Sequence, residues 1–385
     1  MYPQLKPPPP SADTPTKPRI ARRATQKYGL TQPPPWATIA AVAASRQNAE
    51  KRETNGTTRL MTHAEPSPHA PPGDATSRIE ALADHLIASG DIPFPNAKVD
   101  LSLNRAPGDR EAVGDSPERA IICDAHGAPY GVLFLAVPVS PDLVGRGVRN
   151  AQAAREMLGA EAGAVILEPL VSGEFEGLSY VLWPWVRPVS SSRYVAYVQR
   201  RLLRRSVLAW LRDATERTKH ADSDGATRAN YEQALNNLSA IPELPAEMAD
   251  EAKRGLERLH AGAWRPYHVL EHNDFWFGNI MLPSARGNGA GKTYPFHVID
   301  WAGARTSGYP IFDLIRLART TGLSGRALHR EIQLHCAILE CAPEDAAHYL
   351  LAALGYLEQT LEHFPRDRYI ALCGRTFDTM TNALE

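Results

Sequence analysis

EHNDFWFGNIML, residues 271 to 282, sets His272, Asp274 and Asn279 at offsets 0, +2 and +7 inside a run of aromatic and aliphatic residues. About twenty residues later, PFHVID (295–300) is an apolar strand pattern that ends in Asp300, directly before Trp301. NIMLP (279–283) reads as a strand too, so a hairpin between them would bring Asn279 and Asp300 to one mouth. A lone Asp in a loop is usually a cap or turn residue. Two oxygen ligands at one mouth, beside a carboxylate able to accept a hydroxyl proton, are instead what phosphoryl transfer needs. The spacing His-x-Asp-x4-Asn is also that of a kinase catalytic loop.

The rest of the chain permits this chemistry. At 385 residues with 43% hydrophobic and 22% charged residues, it is long enough for one large or two ordinary globular domains. Residues 1–75 carry 14 of the 32 prolines and ten basic against five acidic residues, a composition expected of a disordered segment. Within them WATIAAVAAS (36–45) is similar to a short signal peptide, but its apolar run is brief and Pro33 to Pro35 break it. Met61 is a plausible alternative start.

The remainder, with 32 basic and 38 acidic residues, is mildly acidic, which argues against nucleic acid as a partner. Cys123, Cys336, Cys341 and Cys373 form no CxxC pair, so neither a zinc ribbon nor a disulfide framework is indicated, and a cytoplasmic location is expected. The longest apolar run, GVLFLAVPV (131–139), is far shorter than the roughly 18 residues of a membrane span.

The periodicities divide the chain into lobes. SRIEALADHLIAS reads as an amphipathic helix; KVDLSL, RAIICDA, YGVLFLAV, GAVILEPL and LSYVLWPWV read as strands, with a helix over NAQAAREMLGA (150–160). A connector near 185–192 follows, and beyond it helices dominate, beginning with RYVAYVQRRLLRRSVLAWLRDATERT. The expected architecture is α+β, with a sheet-rich N-lobe over 76–185 and a helical C-lobe over 186–385.

HNDFWFGNIML, VIDW and GYPIFDL (308–314) together give the chain a resemblance to the aminoglycoside phosphotransferase and choline kinase family, relatives of the protein kinases. The resemblance covers roughly 76–385 and is strong only in the second lobe. It implies a two-lobed protein-kinase-like fold in which ATP and Mg²⁺ bind between the lobes and a small molecule offers a hydroxyl as acceptor. It further implies Asp274 as catalytic base, Asn279 and Asp300 as holders of Mg²⁺, His272 as a brace of the loop, and Asp313 as a structural anchor.

One part of the family pattern is missing. The family's phosphate-holding lysine belongs on the third strand, where this sequence has Phe134 or Leu135, and its partner glutamate belongs where Asn150 to Gln152 stand, with Glu156 further on. No GxGxxG loop is visible. Lys98 is the sole lysine between 76 and 190 and is the expected nucleotide-binding substitute, with Arg146 and Arg149 as alternatives. The alternative function is a pseudokinase that binds a ligand without turnover.

Three other patterns compete. HVLEH (268–272) matches the H-x-x-E-H motif of a zinc peptidase group, which would require a helix. GNGAGKT (287–293) is one residue short of a Walker A loop and precedes a strand, so it reads as a hairpin turn. Arg200, Arg201, Arg204 and Arg205 read as a solvated helix face. For the acceptor, Glu340, Glu344, Asp345, Glu358 and Glu362 are candidate contacts to an amino sugar, and Trp276 to a quaternary amine.

Overall fold

In this computed structural model residues 73–385 are described, apart from 106–114, 191, 224, 284–293 and 363. Almost all of the proline-rich segment, the signal-like stretch, Met61 and the GNGAGKT turn lie outside these residues. Helix α1 (Gly73–Ser89) is followed by β1 (Lys98–Asp100), β2 (Glu118–Cys123), β3 (Pro129–Leu135), helix α2 (Leu143–Ala162), β4 (Val171–Phe175) and β5 (Leu178–Pro184). The five strands form one antiparallel sheet in the order β1-β2-β3-β5-β4.

Apolar residues at Ile79, Leu82, Ala83 and Leu86 give α1 the i, i+3, i+4, i+7 stripe of a one-sided helix. That stripe packs with Ala120, Ile122, Leu133, Leu135 and Leu182 of the sheet. Side chains directly opposite in a ladder share a face, and successive residues alternate between faces. The row Ala120–Leu133–Leu182 therefore belongs to the α1 face, and the next row, Arg119–Phe134–Val181, to the other. Trp183, on that second face, borders a cleft with Val148, Ala151 and Gln152, so this is the side that meets α2.

After Pro184 the chain becomes helical: α3 (Arg193–Thr218), α4 (Ala226–Ser239) and α5 (Ala246–His260) precede the short strands β6 (Val269–Glu271), β7 (Ile280–Met281), β8 (His297–Val298) and β9 (Arg305–Gly308). Helices α6 (Phe312–Thr321), α7 (Gly325–Ile338), α8 (Asp345–Gln359) and α9 (Arg366–Leu384) complete the lobe. β7 pairs with β8 and β6 with β9, all antiparallel. The architecture is thus the expected two-lobed, protein-kinase-like α+β fold.

One expected strand is absent. GAVILEPL does not form a strand: Gly163–Val165 is a 3₁₀ turn, and Val165 and Ile166 are buried in the C-lobe core. The edge strand is instead VSGEF, at β4, whose residues are mostly exposed. An unbroken apolar run marks burial on all sides and does not by itself specify extended backbone.

Helices α4 and α8 approach so closely that a Cβ on Gly355 would lie 1.9 Å from the carbonyl oxygen of Ala234. Gly355→Ala is therefore expected to lower stability by about 1–3 kcal/mol through overpacking. Thermal denaturation reads this, and an unchanged midpoint would contradict the packing described.

Candidate active site

The loop after β6 is fixed by a single buried carboxylate. Asp313, in the first turn of α6, accepts the backbone N–H of His272 at 2.6 Å through Oδ2 and that of Asn273 at 3.1 Å through Oδ1. Burial pushes this carboxyl up; the charge of Glu271 adds to the rise, and the two amide donors and Arg316 oppose it. Asn273 has φ +69° and Ile311, just ahead of α6, has φ +74°. A branched residue in the left-handed region is strained by about 1–3 kcal/mol, which persists only where the surroundings over-determine it. Asp313 is thus a structural anchor: the helix carries it, and the loop after β6 is what it holds.

His272 is the second clamp. Its ring packs on Trp301 at 4.6 Å and Phe275 at 5.7 Å between centroids, and its Nε2 lies 3.0 Å from the Ile299 carbonyl. Removal from water lowers its pKa to about 4, so the ring is neutral at neutral pH. A neutral imidazole facing a carbonyl must carry its proton on Nε2. The histidine thereby ties the Asp274 loop to the residue preceding Asp300.

Asp274 stands next to this clamp. Its Oδ1 is ion-paired with Arg316 of α6, and its Oδ2 accepts the Asn279 amide at 3.2 Å. Asn279 Nδ2 also donates to the Asp274 backbone carbonyl at 2.9 Å, while the Asn279 carbonyl accepts the Ile299 N–H at 3.0 Å. The donor side of the amide is thus committed to Asp274. Arg316 was not foreseen from the sequence; nothing in FDLIRLA marks it, because its role comes from helix α6 docking on the loop.

Asp300, at φ +68°, follows β8. Its carboxyl is raised to about 6, first by removal from bulk water and then by the negative charge of Asp274, with the positive charge of Arg119 opposing. The residue is exposed to solvent contact. Asn279 is bonded to Asp274 through its side-chain amide and to Ile299, the neighbour of Asp300, through its backbone carbonyl, so the three residues share one region. An amide oxygen and a carboxylate are hard oxygen donors, the kind that suits Mg²⁺.

The remaining expected residues lie elsewhere. Lys98 is exposed at the start of β1, opposite Cys123 at the far end of β2, and so is not brought to this cluster. Arg146 is held by Glu362 at 2.8 Å and Arg149 by Asp142 at 2.5 Å. Glu156 is exposed and bonded to Gln152 at 3.0 Å. In its place Asn150 projects from α2, donating to the carbonyls of Trp301, Ala302 and Ala304 at 3.2, 3.1 and 3.0 Å. The helix is docked onto the loop after Asp300 by a neutral amide where the family uses a glutamate.

HVLEH is mainly strand and not a helix, so His268 and His272 are roughly 13 Å apart along it. Glu271 is buried against Arg305 and the Tyr309 N–H. Among the described residues no three His, Cys, Asp or Glu side chains gather as a metal-binding group. The zinc-peptidase reading is corrected on this ground. The acidic residues considered for an amino sugar are paired within the protein: Glu340 with Lys219, Glu344 and Asp345 with Arg258, Glu358 with Arg366, and Glu362 with Arg146. Trp276 folds back over Gly278, where a Cβ would lie 2.3 Å from its indole. A cavity of about 450 Å³ opens beside the metal loop, lined by Asn150, Asn230, His268, Tyr309 and Tyr356 among others, but Asp274, Asn279 and Asp300 do not enter it.

Asp313→Asn offers one oxygen to two buried amides and turns an NH₂ toward the other. The expected cost is about 1–3 kcal/mol, read by chemical denaturation, with wild-type stability as the contradicting result.

Comparison with known proteins agrees with this plan. A family model for the phosphotransferase enzyme family matches residues 148–349, more than half of the chain. Among solved structures, a thermostable mutant of the aminoglycoside phosphotransferase APH(4)-Ia, in ternary complex with AMP-PNP and hygromycin B, is 17% identical with a TM-score of 0.42, covering 70% of this chain and 91% of that one. The choline kinase LicA from Streptococcus pneumoniae is 10% identical with a TM-score of 0.43, covering 79% and 99%. A putative fructosamine-3-kinase from Haemophilus somnus 129PT is 9% identical with a TM-score of 0.39, covering 69% and 88%. No curated protein sequence matches. The family model, together with the loop geometry above, places this chain in the phosphotransferase enzyme family.

Proposed function

We propose that the protein is an ATP-dependent phosphotransferase that moves the γ-phosphate to a hydroxyl of a small molecule. The observation that carries this reading is the grouping of Asp274, Asn279 and Asp300: the Asn279 amide bonds Asp274, and the Asn279 backbone bonds Ile299, directly before Asp300. Asn279, through its amide oxygen, and Asp300 would hold Mg²⁺, which when bound neutralises charge on the phosphates.

Asp274 has the role of receiving the acceptor's hydroxyl proton and aiming its oxygen. In a loose phosphoryl transfer the nucleophile needs orientation more than strong deprotonation. A carboxylate held from one side by Arg316 and from the other by Asn279 suits that task, because its direction is set before the acceptor arrives. His272 stays neutral and keeps the Asp274 loop at a fixed offset from the Asp300 strand.

The acidic residues expected to meet an amino sugar are each paired with an arginine or lysine of the protein itself. Among the described residues no helix is long and apolar enough to cross a membrane. The second reading, a binding module without turnover, is favoured by one observation: β3 carries no lysine.

Incubation with labelled ATP and a panel of hydroxyl-bearing small molecules distinguishes the two. A phosphotransferase labels at least one acceptor, and Asp274→Ala or Asp300→Ala lowers its turnover roughly 10²- to 10⁴-fold. Turnover that persists in both variants would contradict the assignment. Nucleotide binding with no labelled acceptor and no ATP hydrolysis would favour the binding module.

A further inference from the structure

Between Glu176 and Asp213 the chain carries seven arginines and no acidic residue, whereas residues 76–385 as a whole hold 32 basic and 38 acidic ones. Much of this basic stretch is the first half of α3. Successive residues of a helix are turned by about 100°. Val195, Val198 and Leu202, at i, i+3 and i+7, therefore form one stripe with Tyr194 at its edge, and Arg201, Arg204 and Arg205 run alongside it with Tyr197. The opposite side of the helix meets the core through Leu203 and Val207.

The outward side is uncovered among the described residues. Nine large hydrophobic side chains are exposed there, and five of them are Tyr194, Val195, Tyr197, Val198 and Leu202, with Tyr194 at 84% and Leu202 at 72% exposure. Single apolar residues are normal on a surface, but a contiguous group marks an interaction site. Arg201 and Arg205 are exposed and Arg204 is half-buried; none of the three is ion-paired among the described residues, whereas Arg212, further along the helix, is held by Glu331.

We propose that this face of α3 is a docking surface for an anionic lipid membrane, on which the helix lies flat, its aliphatic stripe at the acyl boundary and its arginines among the headgroups. The inference goes beyond the phosphotransferase reading and does not depend on it. A lipid surface supplies both things the face asks for, an apolar layer and negative charge directly above it. Tyr194 and Tyr197 suit that boundary, because a phenol ring has an apolar body and a polar tip. Other occupants match less of the face. A second copy docked face to face sets arginines against arginines. Residues 1–75, with ten basic and five acidic residues, carry the same sign of charge. A nucleic acid matches the arginines through its phosphates but leaves the aliphatic stripe in water. The face also adjoins the candidate active site: Arg200, on the same turns of α3, lies 5.5 Å from the ring centroid of Phe277, two residues before Asn279.

The test is co-sedimentation of the full chain with vesicles of phosphatidylcholine alone and of phosphatidylcholine containing about one-third phosphatidylserine. Wild-type protein is expected to pellet with the anionic vesicles and not with the neutral ones. Arg201→Gln/Arg204→Gln/Arg205→Gln is expected to weaken this binding roughly 100-fold, and Val198→Asp/Leu202→Asp roughly 10-fold or more. An unchanged thermal midpoint reports that each variant is folded; should either fail to fold, the single variants Arg205→Gln and Leu202→Asp, both at exposed positions, carry the comparison with smaller losses. Wild-type protein that ignores the anionic vesicles, or binds the neutral ones equally well, would overturn the inference. Undiminished binding by the folded α3 variants would also overturn it, by moving the lipid contact to another part of the chain. Binding to polyglutamate or duplex DNA without binding to vesicles would assign the face to an acidic protein or a nucleic acid, and so contradict the lipid surface.

Discussion

The buried carboxylate of Asp313 is the constraint on which the site depends. It holds two consecutive backbone amides, those of His272 and Asn273, and so fixes a loop whose second residue is in the left-handed region. Left alone, that loop would relax. Because the anchor sits in the first turn of α6, the same helix sets Arg316 one turn later against the Asp274 carboxylate. One helix therefore determines both where the loop runs and which way its acid points. His272 extends the constraint sideways to Ile299, and through it to Asp300.

The N-lobe is organised by a different balance. A charged pair between sheet and helix would have to be desolvated, and such a pair gives stability only when its geometry is good. Here the helix is tied to the loop after Asp300 by three amide-to-carbonyl bonds, which carry no net charge and need no counter-ion. A separate tie at the same end of α2, between Arg146 and Glu362, crosses to the chain beyond α8. Exposed ion pairs of this kind contribute little energy each, about 0–1 kcal/mol, so its role is better described as setting orientation.

Much of the second lobe was legible from the sequence. The spacing within HNDFWFGN and the Asp at the end of PFHVID are local signals, and local signals survive folding because a hairpin brings its own ends together. What was not legible depends on pairing between distant segments. Arg316 acquires its place from α6 docking under the loop, and Asn150 from α2 meeting the chain about 150 residues later. Lys98 stands out in the sequence as the sole lysine between 76 and 190, whereas the ladder sets it opposite Cys123. The five acidic residues of the last helices looked available only because their arginine and lysine partners lie far off in sequence. GAVILEPL failed for the opposite reason: its apolar content is real, but the C-lobe core uses it as a turn.

The central claim is the proposal that Asn279 and Asp300, beside Asp274, hold a metal ion in a nucleotide-dependent way. Electron paramagnetic resonance with Mn²⁺ in place of Mg²⁺ tests it most directly. The account predicts that Mn²⁺ binds wild-type protein tightly only when AMP-PNP is present, and that Asn279→Ala and Asp300→Ala each abolish this nucleotide-dependent binding. Mn²⁺ binding that is indifferent to the nucleotide, or that survives both substitutions, would contradict it.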